Sequence, residues 1–229
     1  MALALLNGQP LLRLDFFQGR FGSWTADCQL QGEDAPAEGE LVQLQIGSVV
    51  RVGTVENSGA PYAQPRCRVI GGAGKLGARQ ADDVVLDPID YGQVTLSAVT
   101  TDILVSAGEV PGDLSALDDT VVPQWQIVQE RAVQALQRVF RQRPDLDLVC
   151  EHDGSFSARL RDFSVTVSND DVRGIKPQER QLVLMVDDSA IEPGVTVSTQ
   201  YGDYRCERIQ YELDPTDTRS SLTARVWYT

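Results

Sequence analysis

Residues 49–77 read VVRVGTVENSGAPYAQPRCRVIGGAGKLG, and the rest of the chain is placed around them. Val50, Val52 and Thr54 alternate with Arg51, Gly53 and Val55, the two-residue period of a strand with one buried face. Asn57 to Pro61 carries turn chemistry, because Gly59 tolerates positive φ and Pro61 cannot donate to a ladder. Arg66 to Ile70 sets Cys67 and Val69 on one face and Arg66 and Arg68 on the other. Gly71 to Gly77 ends that strand. The stretch is a hairpin at the centre of an N-terminal β-barrel or sandwich.

Upstream, Leu11 to Phe17 sets Leu12, Leu14 and Phe16 against Arg13 and Asp15, and Gly19 to Gly22 turns the chain. Trp24 to Leu30 returns with Trp24, Ala26, Cys28 and Leu30 on one face. Leu41 to Ile46 is the next strand, and Gly47-Ser48 makes a tight turn. Five or six short strands at this spacing indicate a sandwich or barrel.

Downstream, Asp83 to Leu86 is a further short strand, broken by Pro88 to Gly92. Thr95 to Glu109 changes period: Leu96, Val99, Ile103 and Leu104 lie at helical spacing, Thr95 or Ser97 suits the N-cap, and Gly108 suits the C′ position. A second helix is expected over Gln124 to Arg141. Its stripe is Trp125, Val128, Ala132, Leu136, Val139 and Phe140, with Pro123 before it and Pro144 after it. From Asp147 the period returns to two, with Leu146, Leu148 and Cys150 alternating with polar residues. Asp153-Gly154 is a hairpin signal, Ser155 to Leu160 returns, and Phe163 to Val167 and Leu182 to Val186 are strands. Tyr204 to Leu213 has bulky groups on both faces, and Leu222 to Tyr228 closes the chain. The fold class expected is α+β, mainly β: two small antiparallel β-barrels joined by a short two-helix insert. The N-terminal barrel takes residues 1–92, the helical insert 93–145 and the C-terminal barrel 146–229.

The chain has 229 residues, 42% hydrophobic and 23% charged, which suffices for a packed core. Its formal net charge of −13 disfavours broad nucleic-acid binding. MALALLNGQPLL lacks a basic leader, so no signal peptide is expected, and no apolar run approaches about 20 residues, so none spans a membrane. The four cysteines, Cys28, Cys67, Cys150 and Cys206, are scattered. With His152 the single histidine, neither a zinc site nor a Ser-His-Asp site is expected, and reduced buried thiols are. Gly72 to Gly77 matches G-x-G-x-x-G after a strand, but no apolar helix follows, so a β-turn is read rather than a dinucleotide site. A phosphate loop fails too, since Val69 stands where glycine is required and Leu76 where Ser or Thr must reach magnesium. The pairs Asp82-Asp83, Asp118-Asp119, Asp170-Asp171 and Asp187-Asp188 read as solvated loop charges, without calcium-loop spacing. His152, beside a hairpin turn, reads as exposed and inert. Trp24 and Trp125 read as core, while Trp227 and Tyr228 fit either a cover on the second barrel or a contact to a neighbouring subunit. No catalytic, cofactor-binding or metal-binding residue is expected.

The segments VRVGTV…RCRVIGGAGKLG and VTLSAVTTDILVSAGE, with GVTVSTQYGDYRCERIQYEL…SLTARVWYT at the C-terminus, resemble the baseplate or tail hub proteins of tailed bacteriophages, the late-control-D-like and Mu-like hub family. The resemblance implies two tail-tube-like barrels in one polypeptide. It implies three copies that place six barrels in a ring around an axial channel, between a sixfold tail tube and a threefold spike. Expected partners are sister copies as a homotrimer (or homohexamer), a tail tube or distal tail protein, and a spike, fibre or tip protein, with DNA passing unbound. The expected location is the virion tail tip or baseplate, after assembly in the host cytoplasm. The alternatives are a hexameric distal tail adaptor and, from a different class, a small cell-wall lytic enzyme.

Overall fold

The alternation of the first seventy residues produces a cylinder. In the computed structural model, which describes residues 4–32, 34–59, 64–76, 84–187, 189–213 and 222–229, six strands pair antiparallel. They are β1 (Ala4–Leu6), β2 (Gln9–Gly19), β3 (Thr25–Leu30), β4 (Leu41–Ile46), β5 (Val49–Gly59) and β6 (Arg66–Gly71). Their order is β1-β4-β5-β6-β3-β2, and β2 pairs β1 again through Leu5↔Pro10 and Leu6↔Gln9, so the barrel is closed. Closure removes the free rims that an open sheet would expose.

The buried face of β5 carries Arg51, Gly53 and Val55, while Val50 is exposed. The reason is Trp24, which fills the barrel's interior. Gly53 and Gly71 are cross-strand partners. A Cβ on Gly53 would stand 2.7 Å from the Trp24 ring, and one on Gly71 would stand 2.5 Å from its Nε1. The two glycines leave the room that the indole occupies. The turn expected from Asn57 starts later: Asn57, Ser58 and Gly59 still pair, with Arg68, Cys67 and Arg66. Ala60 and Pro61 lie outside the described residues.

Between the β units the chain makes two small ribbons and two helices. β7 (Ile89–Tyr91) occupies the stretch expected to break a strand, and Asp83 to Leu86 supplies only a bridge, Val85 to Arg131; Asp83 itself lies outside the described residues. β8 (Val94–Thr95) leads into α1 (Leu96–Ser106), where Thr95 Oγ1 accepts from the Ala98 N–H at 3.3 Å and Gly108 follows the cap at φ 81°. β9 (Val121–Val122) pairs β8, and β10 (Trp125–Ile127) pairs β7. The second helix, α2, therefore starts at Ala132, not Gln124, and ends at Arg141. Trp125 and Ile127 are β-formers that find a partner strand, so pairing overrides the helical stripe. α2 packs on α1 through its remaining apolar face, Ala132, Ala135, Leu136, Val139 and Phe140.

β11 (Leu146–Cys150) and β12 (Phe156–Leu160) form the expected hairpin about Asp153-Gly154. Both of its rims meet this chain: β11 bridges to Gly22, and β12 bonds the segment from Val110 to Asp113. The second β unit follows, made of β13 (Thr166–Ser168), β14 (Val172–Lys176), β15 (Gln181–Val186), β16 (Thr196–Thr199), β17 (Gly202–Leu213) and β18 (Leu222–Tyr228). Phe163, expected to begin a strand, has φ 49° and lies before β13. Strand order is β14-β15-β18-β17-β16-β13; β13 runs parallel to β16 and the other pairs are antiparallel. A bulge between Cys206 and Arg208 shifts the alternation of β17, so Cys206, Ile209 and Tyr211 all face the core. That shift explains the mixed faces of its sequence. β17 also pairs β2 from Gly19 to Leu14, making one continuous sheet of the two units.

Candidate assembly interface

Three buried devices fix the β units against each other. The rings of Tyr211, Phe16 and Trp24 run in a column, with centroids 5.9 and 5.5 Å apart, from the second unit into the barrel. Arg51 lies over Phe16, donating to Ser189 Oγ at 2.7 Å and Glu192 Oε1 at 2.8 Å. Burial lowers the Arg51 pKa against the pull of Glu192. His152 Nε2 meets the same Glu192 oxygen at 2.6 Å, so the hairpin-tip histidine, though more than half exposed, is tethered rather than idle. At Glu192 burial acts upward, but the His152 contact and Arg51 outweigh it and leave the pKa below the usual value. Across the molecule, Arg20 bonds Asp147 at 2.6 Å and Glu207 at 3.0 Å, and Arg161 holds the other Asp147 oxygen at 2.8 Å. A buried charge survives only when paired in this way.

The glycine loop after β6 is occupied by the chain's own carboxylate. The N–H groups of Ala73, Lys75 and Leu76 donate to Glu109 at 2.7, 2.7 and 3.1 Å. A Cβ on Gly72, at φ 72°, would lie 2.7 Å from the same carboxylate. These are the donors a phosphate would need, and Glu109 uses them to dock the insert on the barrel. Burial is the main influence on Glu109 and raises its pKa despite the three donors. Gly77 lies outside the described residues.

Of the aspartate pairs, Asp82-Asp83 and Asp188 lie outside the described residues. Asp119 pairs with Arg143 at 2.7 Å. Asp170, Asp171 and Asp187 come together at a cavity of about 600 Å³ beside the β13–β14 connection. Among the described residues no aromatic side chain lines it, and Arg173 holds Asp171 at 3.1 Å. Among the described residues no group of three or more His, Cys, Asp or Glu is placed to hold a metal ion.

The cavity marks the break in the second unit. Asn169 N–H bonds Ser198 O on one side and Met185 N–H bonds Asp171 O on the other, so the connection crosses from β16 to β15. β13 and β14 do not pair with each other. Among the described residues they are the strands of the large sheet with a ladder partner on one side only. Such rims present unpaired N–H and C=O groups to a further strand. Sequence reading missed β14 because VRGIK has a glycine and little alternation. It missed Arg51, Arg20 and Glu109 because an isolated charge in an apolar stretch does not reveal its distant partner. Trp24 is core, as expected. Trp125 is half-buried under Arg138, at 5.0 Å. Trp227 and Tyr228 are half-buried against Arg208 and Tyr204 of this chain.

Comparison with protein-family models gives no match, and comparison with curated protein sequences gives none. Solved structures do share the fold. The 43 kDa tail protein of prophage MuSo2 from Shewanella oneidensis superposes with a TM-score of 0.72 at 11% identity, covering 97% of this chain and 96% of that one. The tail protein from Neisseria meningitidis MC58 gives 0.69 at 12%, covering 98% and 95%. The Escherichia coli c3393 protein gives 0.69 at 12%, covering 99% and 77%. That protein is described as a component of the type VI secretion system with structural similarity to the T4 bacteriophage tail proteins gp27 and gp5.

Proposed function

We propose that this chain is a structural tail protein, and within the tail a hub subunit that self-associates into a ring around the axial channel. The observation that carries the reading is the pair of strands β13 and β14, which among the described residues are the half-satisfied strands of the large sheet, while the barrel closes on itself and the hairpin rests on Gly22 and residues 110–113. A closed ring satisfies such rims by symmetry. The shared fold with phage and type VI tail proteins supports the structural role. In this reading the chain adapts the tail tube above to a tip or spike below, as a trimer whose β units approximate sixfold symmetry. In this reading residues 1–92 are its N-terminal barrel, 93–145 its helical insert and 146–229 its C-terminal β module. It acts by geometry rather than by catalysis. The −13 charge lets DNA pass without adhering.

Light scattering on the purified protein, alone and mixed with the tail tube and tip proteins of the same particle, tests this. A mass three times that of the chain is expected, and six times would favour the distal-adaptor form. A strict monomer that binds neither neighbour would overturn the assembly role.

A further inference from the structure

Cys28 and Cys67 face each other directly across the β3–β6 ladder, and both side chains point into the barrel. Their flanks fix the kind of pair. Gly71 N–H bonds Trp24 O, and Leu30 N–H bonds Pro65 O, each at 2.9 Å. Hydrogen-bonded pairs alternate along an antiparallel ladder, so Cys28 and Cys67 form one, with Cα atoms typically about 5.5 Å apart. That lies inside the range of about 4.4–6.8 Å that a disulfide spans. The other two cysteines are placed differently: the Cys150 thiol donates to Glu151 O at 3.7 Å and the Cys206 thiol to Arg208 O at 3.6 Å.

We propose that Cys28 and Cys67 are a redox site, forming a reversible intramolecular disulfide across the barrel wall with a peroxide as oxidant. The Cys67 thiolate attacks one peroxide oxygen; the S–O bond forms, the O–O bond breaks, and hydroxide leaves and takes up a proton as water. Cys28 sulfur then displaces the oxygen from Cys67, which departs as a second water with the Cys28 proton. Two thiols lose two electrons and the peroxide gains them. The hydrogen bond that Cys28 donates lowers the Cys67 pKa and raises that of Cys28, which assigns the attacking role to Cys67. Both sulfurs are nearly buried, which favours an oxidant as small as hydrogen peroxide. Burial raises the pKa of Cys150 and Cys206 and keeps them as an internal control.

The test treats the folded full chain with hydrogen peroxide, removes the excess, and alkylates under denaturing conditions. Reactive thiols should fall from four to two. Peptide mass mapping should show one linked pair joining the Cys28 and Cys67 peptides, and dithiothreitol should restore all four thiols. In Cys28→Ser the product should instead be an acid of sulfur at Cys67. Four thiols remaining, a link that includes Cys150 or Cys206, or a link between chains would overturn the proposal. The wild-type map decides the matter even if Cys28→Ser fails to fold.

Discussion

Replacing Gly71 with alanine tests the packing on which the first barrel rests. The three atoms nearest the new Cβ would all belong to Trp24: 2.5 Å to Nε1, 2.7 Å to Cδ1 and 2.8 Å to Cε2. Real contacts of this kind do not fall below 3.0 Å. Trp24 is fully buried, in ring contact with Phe16, so it has little freedom to retreat. Overpacking of a filled core costs about 1–3 kcal/mol. The smaller entropy of the unfolded alanine chain returns roughly 0.4–1 kcal/mol. The expected net loss is therefore about 1–2 kcal/mol, or a fall in Tm of roughly 2–8 °C for a chain of this size. Urea unfolding followed by circular dichroism measures it. In a Trp24→Leu background the clash is gone and Gly71→Ala should be neutral or stabilise by up to about 1 kcal/mol, a coupling of about 2 kcal/mol. Gly53→Ala should stay costly in both backgrounds, because its Cβ would also stand 2.6 Å from the Ile70 carbonyl oxygen, which is backbone. A Gly71→Ala loss under about 0.5 kcal/mol in the wild-type background, or equal losses with and without Trp24, would refute the reasoning.

Two further perturbations address the joints between units. Glu192 has a lowered pKa in the folded state. Its contribution is therefore full above the ordinary glutamate value, about 4.3, and is lost as pH falls through the lowered one. Glu192→Gln should flatten the acid limb of a stability-versus-pH curve, and an unchanged limb would contradict the Arg51–Glu192–His152 link. Glu109 is the opposite case, its folded pKa being raised. Its contribution is largest below the unfolded value and declines as pH rises through the folded one. Glu109→Gln should remove that slope. At neutral pH it should also cost about 1–3 kcal/mol in urea unfolding, because the side-chain amide turns a donor toward the N–H groups of the loop.

Local periodicity made the barrel legible. Leu11 to Phe17, Trp24 to Leu30 and Leu41 to Ile46 form strands close to the expected bounds, since side chains alternate strictly where one face is buried. Thr95 and Gly108 marked the ends of α1 because caps are local chemistry. Long-range competition defeated the reading elsewhere. Trp125 to Ile127 carries part of a helical stripe, yet takes strand form beside Ile89 to Tyr91. The bulge in β17 scrambles an alternation that is regular in space. In β5 the valines suggested an apolar face, but Trp24 needs Gly53 inside, and Arg51 follows it inward to meet a partner 141 residues away. The candidate interface was least legible. Whether a strand rim is free depends on every other strand, and nothing in Val172 to Lys176 announces it.

Backbone amide exchange of Val172 to Lys176, compared between the assembled and the unassembled protein, tests the central claim most directly. If sister copies complete the rim of β14, its outward amides exchange fast in the free chain and are protected by about tenfold or more once the ring forms, as new ladder bonds require. A ring that forms while those amides, and those of Thr166 to Ser168, exchange as fast as before would contradict the account.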